Sequence, residues 1–353
     1  MEIKGNRRAR IALINNIPET WGAGKYAFML YRELSKKLSV DHVYLNHENG
    51  SLEINGKAVA REKAKNKVIF LKKIGRFIPR YDIYHFTNQN LSFLIRKEDC
   101  AKSIVTCHDI YPYIYPKNIF EKVGRGFLYS GLKRTKVIIA DSEYTKKELV
   151  KHMGIDQNKI KVVYLGVSER FVRESKKKSR ERFGLSLSGK IILHIGEVED
   201  KRKNTKRVFR TFLRLRRRVK NLTLLRIGKG NIDYSGVINM YKISEKDMVA
   251  AYNAADVLFF PSLYEGFGLP PLEAMKCGTP VITSDKTSIP EIVKNAAIIV
   301  NPYNEKEMES ALYKVLTDKK LASKLSRKGL IRAEEFTWSK TASQIFKIYK
   351  ELE

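Results

Sequence analysis

Three observations predict an α/β chain of two doubly wound domains in tandem. They are its length, the alternation of short apolar runs with amphipathic segments, and the return of that alternation after a polar break near residue 170. At 353 residues the chain is about two domains long, at ~100–200 residues each. An apolar fraction of 43%, with 18 Tyr and 16 Phe, supplies enough surface for a core and excludes wholesale disorder.

Residues 10–15 read as a strand, 16–25 as a polar loop, and Phe28, Leu30, Tyr31, Leu34 and Leu38 as the apolar stripe of a helix. Further strands are expected at 42–45, 67–71, 81–86, 103–107, 137–140 and 160–164. The basic stretch 168–189 reads as a linker. Beyond it, strands at 190–195, 222–227, 236–239, 257–260, 281–283 and 297–300 alternate with helices near 205–219, 244–254, 271–276, 305–317 and 321–335. Such alternation argues for mostly parallel sheets covered on both faces. Two such sheets would turn the carboxyl ends of their strands toward one interdomain cleft.

Charge is the unusual feature. Sixty-eight Lys and Arg against 38 Asp and Glu leave +30, which suits a polyanionic partner: nucleic acid, an anionic membrane face, acidic polysaccharide or phosphorylated small molecules. Cys100, Cys107 and Cys277 form no CxxC pair, so a reducing compartment is expected. The apolar run 11–14 is too short for a signal-peptide core, and no stretch reaches the ~18–20 apolar residues of a spanning helix. The expectation is a cytoplasmic protein, free or resting on the inner face of a membrane.

The most informative segment runs from Phe260 through Glu265-Gly266-Phe267-Gly268-Leu269-Pro270-Pro271 to Glu273. It reads as a buried strand, a loop with two glycines and a helix with prolines in its first turn. Gly266 and Gly268 let backbone N–H groups approach a phosphate, and the helix N-terminus adds roughly half a positive charge. Glu265 and Glu273, eight residues apart, are acceptors suited to ribose or sugar hydroxyls. Spacing alone leaves equally open that Glu273, placed in the first helical turn, only complements the helix dipole.

This segment resembles the E-x7-E signature of the retaining glycosyltransferases of family 4, whose GT-B fold has two facing Rossmann-like domains. The resemblance extends to His194-Ile195-Gly196, Arg202-Lys203-Asn204, Ile227-Gly228-Lys229-Gly230, Thr106-Cys107-His108-Asp109, Trp21-Gly22-Ala23-Gly24 and the run from Ala254 to Glu291. It implies an N-terminal acceptor-binding domain, residues 1–168 with 339–353, and a C-terminal domain, 169–338, that holds a nucleotide diphosphate sugar. It further implies Lys203 on the diphosphate with Arg202 beside it, Glu273 on the ribose, and the N–H groups of Gly266, Phe267, Gly268 and Leu269 around the diphosphate. Glu265 and His108 would line the donor sugar, and Gly22 and Gly24 would meet the phosphate or acceptor. Many relatives carry an arginine where this chain has Glu197, which leaves open whether Arg202 supplies that charge.

The implied reaction moves a hexose of mannosyl or glucosyl type to a glycan or lipid-linked acceptor with retention, by front-face displacement. No cofactor and no metal are expected, since no Asp-x-Asp motif occurs and basic groups with a helix dipole can replace a cation.

Two other classes fit parts of the sequence. Gly22-Ala23-Gly24-Lys25-Tyr26-Ala27 matches a dinucleotide fingerprint of an NAD(P)-dependent oxidoreductase, although Asp41 opens the next strand instead of ending it. Residues 201–220 hold eleven Lys or Arg and no acid, with Arg207, Arg210, Arg214, Arg217 and Arg218 on one helical face, so nucleic acid is a candidate by charge alone. Residues 56–80 interleave nine basic side chains with Phe70, Leu71, Ile74, Phe77 and Ile78, a pattern suited to an anionic membrane surface.

Overall fold

The computed structural model describes residues 2–3, 7–19 and 22–352; Trp21 lies outside them. The chain divides into two units, Met1–Gly166 with Trp338–Glu353, and Val167–Thr337.

In the first unit, β1 (Glu2–Ile3) pairs with β2 (Arg7–Arg8). The main sheet contains β3 (Arg10–Asn15), β4 (Ser39–Asn46), β5 (Ser51–Ile54), β6 (Lys57–Arg61), β7 (Ile83–Phe86), β8 (Ser103–Cys107), β9 (Val137–Ala140) and β10 (Ile160–Val162), in the order β10-β9-β8-β7-β3-β4-β5-β6. Strands β10 through β4 are parallel. Residues of β7, β8 and β9 are buried throughout, as unbroken apolar runs covered on both faces must be. The edge hairpin β5–β6 turns at Asn55-Gly56, a pair suited to the two-residue turn.

The helices of this unit are α1 (Gly22–Leu34), α2 (Lys67–Ile74), α3 (Tyr111–Ile114), α4 (Ile119–Leu128), α5 (Glu143–Met153) and the returning α13 (Trp338–Lys350). Residues 67–71 are thus helical and not the expected strand. The Asn66 side chain accepts from the N–H groups of Val68 and Ile69, and Phe70, Leu71 and Ile74 reach the core with helical spacing. α13 is bound by a buried hydrogen-bond chain: Tyr349 Oη lies 2.7 Å from His85 Nδ1, His85 Nε2 lies 2.7 Å from Thr106 Oγ1, and Thr106 lies 2.8 Å from Tyr26 Oη.

The second unit has a six-stranded parallel sheet of β11 (Lys190–Ile195), β12 (Leu222–Ile227), β13 (Val237–Met240), β14 (Val257–Phe260), β15 (Val281–Ser284) and β16 (Ile298–Val300), ordered β13-β12-β11-β14-β15-β16. The order reverses between β11 and β14, the place where open α/β sheets bind ligands. Its helices are α6 (Lys176–Arg182), α7 (Thr205–Arg216), α8 (Glu245–Ala254), α9 (Leu269–Lys276), α10 (Ile289–Val293), α11 (Glu305–Thr317) and α12 (Lys319–Glu334).

The whole of the expected linker, 168–189, belongs to this unit. Arg180 of α6 is buried, with its guanidinium donating to the carbonyls of Ala254, Ser186, Leu187 and Gly189 and to Asp256 at 2.8 Å. A buried charge with all three nitrogens engaged fastens a segment to the body.

The arginine face of α7 is occupied too. Arg210 pairs with Glu305 and Arg214 with Glu309 at 2.7 and 2.9 Å, Arg218 also reaches Glu309, and Arg207 lies over the Tyr303 ring. α11 thus receives much of the charge that suggested nucleic acid. Among the described residues no helix is long and apolar enough to cross a membrane.

Candidate functional site

The site of the second unit is built on the loops after β11 and β14, neighbours at the switch point. After β11 the chain makes a single 3-10 turn, Lys201–Lys203, and Asn204 closes it at φ 59°. The Asn204 amide donates to the carbonyls of Pro261 and Pro302 at 3.1 and 2.8 Å. The Leu263 N–H donates to the Arg202 carbonyl at 2.7 Å, so the two loops are tied together.

This brings Lys203 Nζ to 2.7 Å from Glu265 Oε1, which also accepts from the Ser262 hydroxyl at 2.6 Å. The ammonium lies 5.2 Å from the centre of the Phe260 ring. Both partners are mostly shielded but retain an open edge. Arg202 is committed otherwise, forming a two-pronged contact with Asp200 at 3.0 and 2.8 Å. Burial pushes the Asp200 carboxyl up, yet the Arg202 hydrogen bonds and charge outweigh it and hold the group below its ordinary range. Arg202 therefore carries a matched charge and Lys203 a carboxylate partner.

The glycine loop is shaped from the opposite side by Thr287 and Ser288. Glu265 N–H donates to Thr287 Oγ1 at 3.1 Å, and the Ser288 hydroxyl lies between the carbonyls of Glu265 and Phe267 at 2.9 and 3.0 Å. Gly268 has φ +106°, a backbone conformation that favours glycine, and a Cβ there would press on Ile289 Cδ1 at 2.6 Å. Leu269 then opens α9, whose first turn presents N–H groups without intrahelical partners.

Glu273 is the fifth residue of α9 and lies in its second turn, not the first, so complementing the dipole is not its role. It accepts from the Tyr252 hydroxyl at 2.7 Å. Burial, and then the Glu273 charge, push the Tyr252 phenol well above its usual range, which keeps it a donor.

His194, at the end of β11, lies beneath the first loop. Its Nδ1–H donates to the Phe259 carbonyl at 3.0 Å and its Nε2 faces the Thr205 hydroxyl at 3.0 Å. Burial first, against the help of the Phe259 bond, lowers its pKa to about 4, so the ring is neutral. A cavity of about 590 Å³ in this unit lies at the other ends of the strands, lined by Lys190, Asp256 and Pro280, and has no part in these loops.

In the first unit, Gly22 and Gly24 fall inside the first turn of α1. Gly24 is buried where a Cβ would collide with the Pro18 carbonyl, whereas a Cβ on Gly22 would meet nothing within 4 Å. The glycine pair therefore forms no tight strand-to-helix turn. Asp41, the acid that a dinucleotide reading requires, accepts from Tyr81, Asn55 and Arg10 at 3.0, 2.8 and 3.2 Å. Both observations count against the oxidoreductase reading.

His108 follows β8. Its Nδ1 is 2.6 Å from Asp141 Oδ2 and its Nε2 is 3.0 Å from the Thr87 carbonyl. Since both oxygens can only accept, a doubly protonated ring satisfies both contacts. Burial opposes that charge, but Asp141 outweighs it and the pKa is raised. Both ring nitrogens are engaged within the unit, so the expected contact of His108 with sugar finds no open ring N–H here.

Sequence reasoning missed Ser262, Thr287, Ser288, Tyr252 and Asp141. Ser262 stands within the glycine-loop motif and was legible there. Tyr252 is 21 residues from Glu273 and Asp141 is 33 from His108, and no local pattern links them.

Two α/β units with mostly parallel sheets give the GT-B fold, and the two family models that match them make the chain a glycosyltransferase. Residues 21–171 match the family described as Glycosyltransferase Family 4 and residues 175–331 match Glycosyl transferases group 1. The chain belongs to this family. It is 24% identical over 372 residues to O-antigen chain mannosyltransferase B of Escherichia coli, covering 93% of this chain and 96% of that one. It is 30% identical over 224 residues to O-antigen chain mannosyltransferase RfbU of Salmonella typhimurium, 59% of each chain. Among solved structures, Anabaena Alr3699/HepE in complex with UDP-glucose superposes with a TM-score of 0.79 at 15% identity, covering 97% of this chain and all of that one.

Proposed function

We propose that this glycosyltransferase moves a mannosyl unit from a nucleotide diphosphate sugar to a growing glycan or lipid-linked acceptor on the cytoplasmic side, with retention and without a metal. The observation that carries the donor assignment is the constellation of Lys203, Glu265 and the α9 N-terminus on adjacent loops at the switch point. The mannosyl choice is supported by the two O-antigen relatives. A nucleotide-sugar donor is supported by the UDP-glucose complex of the structural neighbour.

In this reading the sugar C1–O bond to the β-phosphate breaks while the acceptor oxygen bonds to C1 on the same face. The acceptor proton passes to the departing phosphate oxygen. Lys203 and the first N–H groups of α9 neutralise the charge that develops on the diphosphate. Glu265, released from Lys203 when phosphate arrives, turns to sugar hydroxyls. Glu273, oriented by Tyr252, holds the ribose. Arg202 stays with Asp200 and shapes the turn, so it does not replace the arginine absent at Glu197. His108 acts as a positioning residue that fixes the segment following β8; Gly24 lets α1 pack against the Pro18 carbonyl, and the exposed Gly22 leaves the start of α1 open to the acceptor.

The test is thermal stabilisation and donor hydrolysis with GDP-mannose, UDP-glucose, ADP-glucose and NAD(P), with and without EDTA. The expected result is stabilisation by GDP-mannose unaffected by EDTA, and none by NAD(P). Stabilisation by NAD(P) alone, or by no nucleotide sugar, overturns the reading, and loss of turnover in EDTA overturns its metal independence.

A further inference from the structure

Helix α4 is built inside out. Its residues Ile119, Val123, Phe127 and Phe120 fall within about 100° of arc on a helical wheel, and they are 64, 66, 50 and 85% exposed. The polar side faces the protein instead: Arg125 donates to Asn90 Oδ1 at 3.1 Å and pairs with Glu121 at 3.5 Å, while Leu128 leans on the core and the half-exposed Phe127 ring lies 5.3 Å from that of Phe93. None of the ten residues is fully buried.

The helix is nonetheless well formed. Asn118 caps it by accepting from the Glu121 N–H at 2.9 Å, and Glu121 accepts from the Lys117 N–H at 2.8 Å. Tyr115, just before it, is also exposed. Single exposed apolar residues are commonplace, but a contiguous row on one face of a fixed helix marks a surface that something covers.

We infer that α4 docks on an anionic lipid surface, lying in its plane with Ile119, Phe120, Val123 and Phe127 inserted among the acyl chains. Charge selects this occupant. Residues 115–136 carry six Lys or Arg against Glu121 as the one acid, within a chain of net charge +30. A second copy of the chain brought to the same face would set like charges against each other, whereas anionic headgroups neutralise them.

The interleaved stretch 56–80 is the weaker candidate. Phe70, Leu71, Ile74 and Ile78 are buried in the core, which leaves Val59, Ile69 and Phe77 as its exposed large apolar groups, one each on β6, α2 and the turn after α2 and not in one row. Helix α4 belongs to the first unit and the loops of Lys203 and Glu265 to the second, and the test of α4 needs no turnover.

The experiment is flotation of the full chain with phosphatidylglycerol-containing vesicles and with pure phosphatidylcholine vesicles, at low and high salt, alongside size-exclusion chromatography with light scattering. Three proteins are compared: wild type, Phe120→Asp with Val123→Asp, and Lys72→Gln with Lys73→Gln and Arg76→Gln. The α4 substitutions fall on exposed positions, so an unchanged melting temperature verifies the fold. The expected result is salt-sensitive binding to anionic vesicles that drops at least about tenfold in the α4 variant and persists in the Lys/Arg variant. No binding of the wild type, or full binding by the α4 variant, overturns the inference. A wild-type dimer that the α4 substitutions dissociate, without vesicle binding, would make the face a contact between copies and overturn it equally.

Discussion

Acidification should loosen the second unit through one side chain. His194 is the only histidine in Val167–Thr337 and is fully buried beside the Lys203 turn. Its folded pKa is depressed to about 4 from about 6.5 in an unfolded chain. A depressed pKa means that the unfolded state takes up the proton first, so stability is full above about pH 6.5 and is lost as the pH falls toward 4. At ~1.36 kcal/mol per pH unit, the loss between pH 7 and pH 5 amounts to about 2 kcal/mol. That value holds for any folded pKa well below 5.

Other groups act outside this window. Asp200, Asp247 and Glu309 are depressed carboxylates whose contributions fade only as the pH drops through the ordinary carboxylate range, about 4 to 4.5, and below. Hydrogen exchange read by mass spectrometry on peptides from β11, β12 and β14, corrected for intrinsic rates, isolates this unit. Wild type should lose about 2 kcal/mol of opening free energy from pH 7 to 5, and His194→Gln should lose little, whatever its starting stability. Equal protection at both pH values, or a full slope retained in His194→Gln, would refute the assignment of a neutral buried ring.

Three further expectations concern named contacts. Tyr252→Phe removes the hydroxyl that orients Glu273 and should weaken nucleotide binding about five- to tenfold by calorimetry, with Glu273→Ala costing more; unchanged affinity in both would detach Glu273 from the donor. Lys203→Met should lower kcat/KM about 10²- to 10³-fold while the fold stays intact, and near-wild-type kinetics would remove Lys203 from the diphosphate. Tyr349→Phe leaves buried His85 Nδ1 without its partner and should destabilise the first unit by about 1–3 kcal/mol, read by urea unfolding with tryptophan fluorescence.

Asp141→Asn tests the charge on His108. In wild type the raised pKa gives stability that is full below about pH 6.5 and fades as the pH rises through the folded value. The variant should lose that pH dependence and show His108 titrating lower by NMR, and an unmoved titration would show that Asp141 does not hold the proton.

Strands such as Ser103–Cys107, Val137–Ala140, Lys190–Ile195 and Val257–Phe260 were legible residue for residue. A parallel strand buried on both faces has to be an unbroken apolar run bounded by polar residues. The same short-run signal failed at Lys67–Ile74, where four apolar residues suit strand or helix equally and the Asn66 cap decides. The Asn55-Gly56 turn announced a hairpin that the reading of 41–80 passed over. In the site, Glu265, Gly268 and Glu273 share one contiguous motif and could be read directly, whereas their partners Lys203, Thr287 and Tyr252 come from other loops and helices.

Local pattern therefore determined the α/β class, most of the strands and the glycine loop, because periodicity and turn chemistry act over a few residues. Tertiary structure decided what each charge does. Arg202 is matched by Asp200, the arginines of α7 by α11, and His108 by Asp141 and Thr87, since electrostatics depends on distance through space and not along the chain. It also decided which apolar residues stay outside. Phe70 and Phe120 both lie in basic, apolar-rich segments of helix, yet packing buries the first and leaves the second facing outward, because burial depends on the neighbour that the fold supplies.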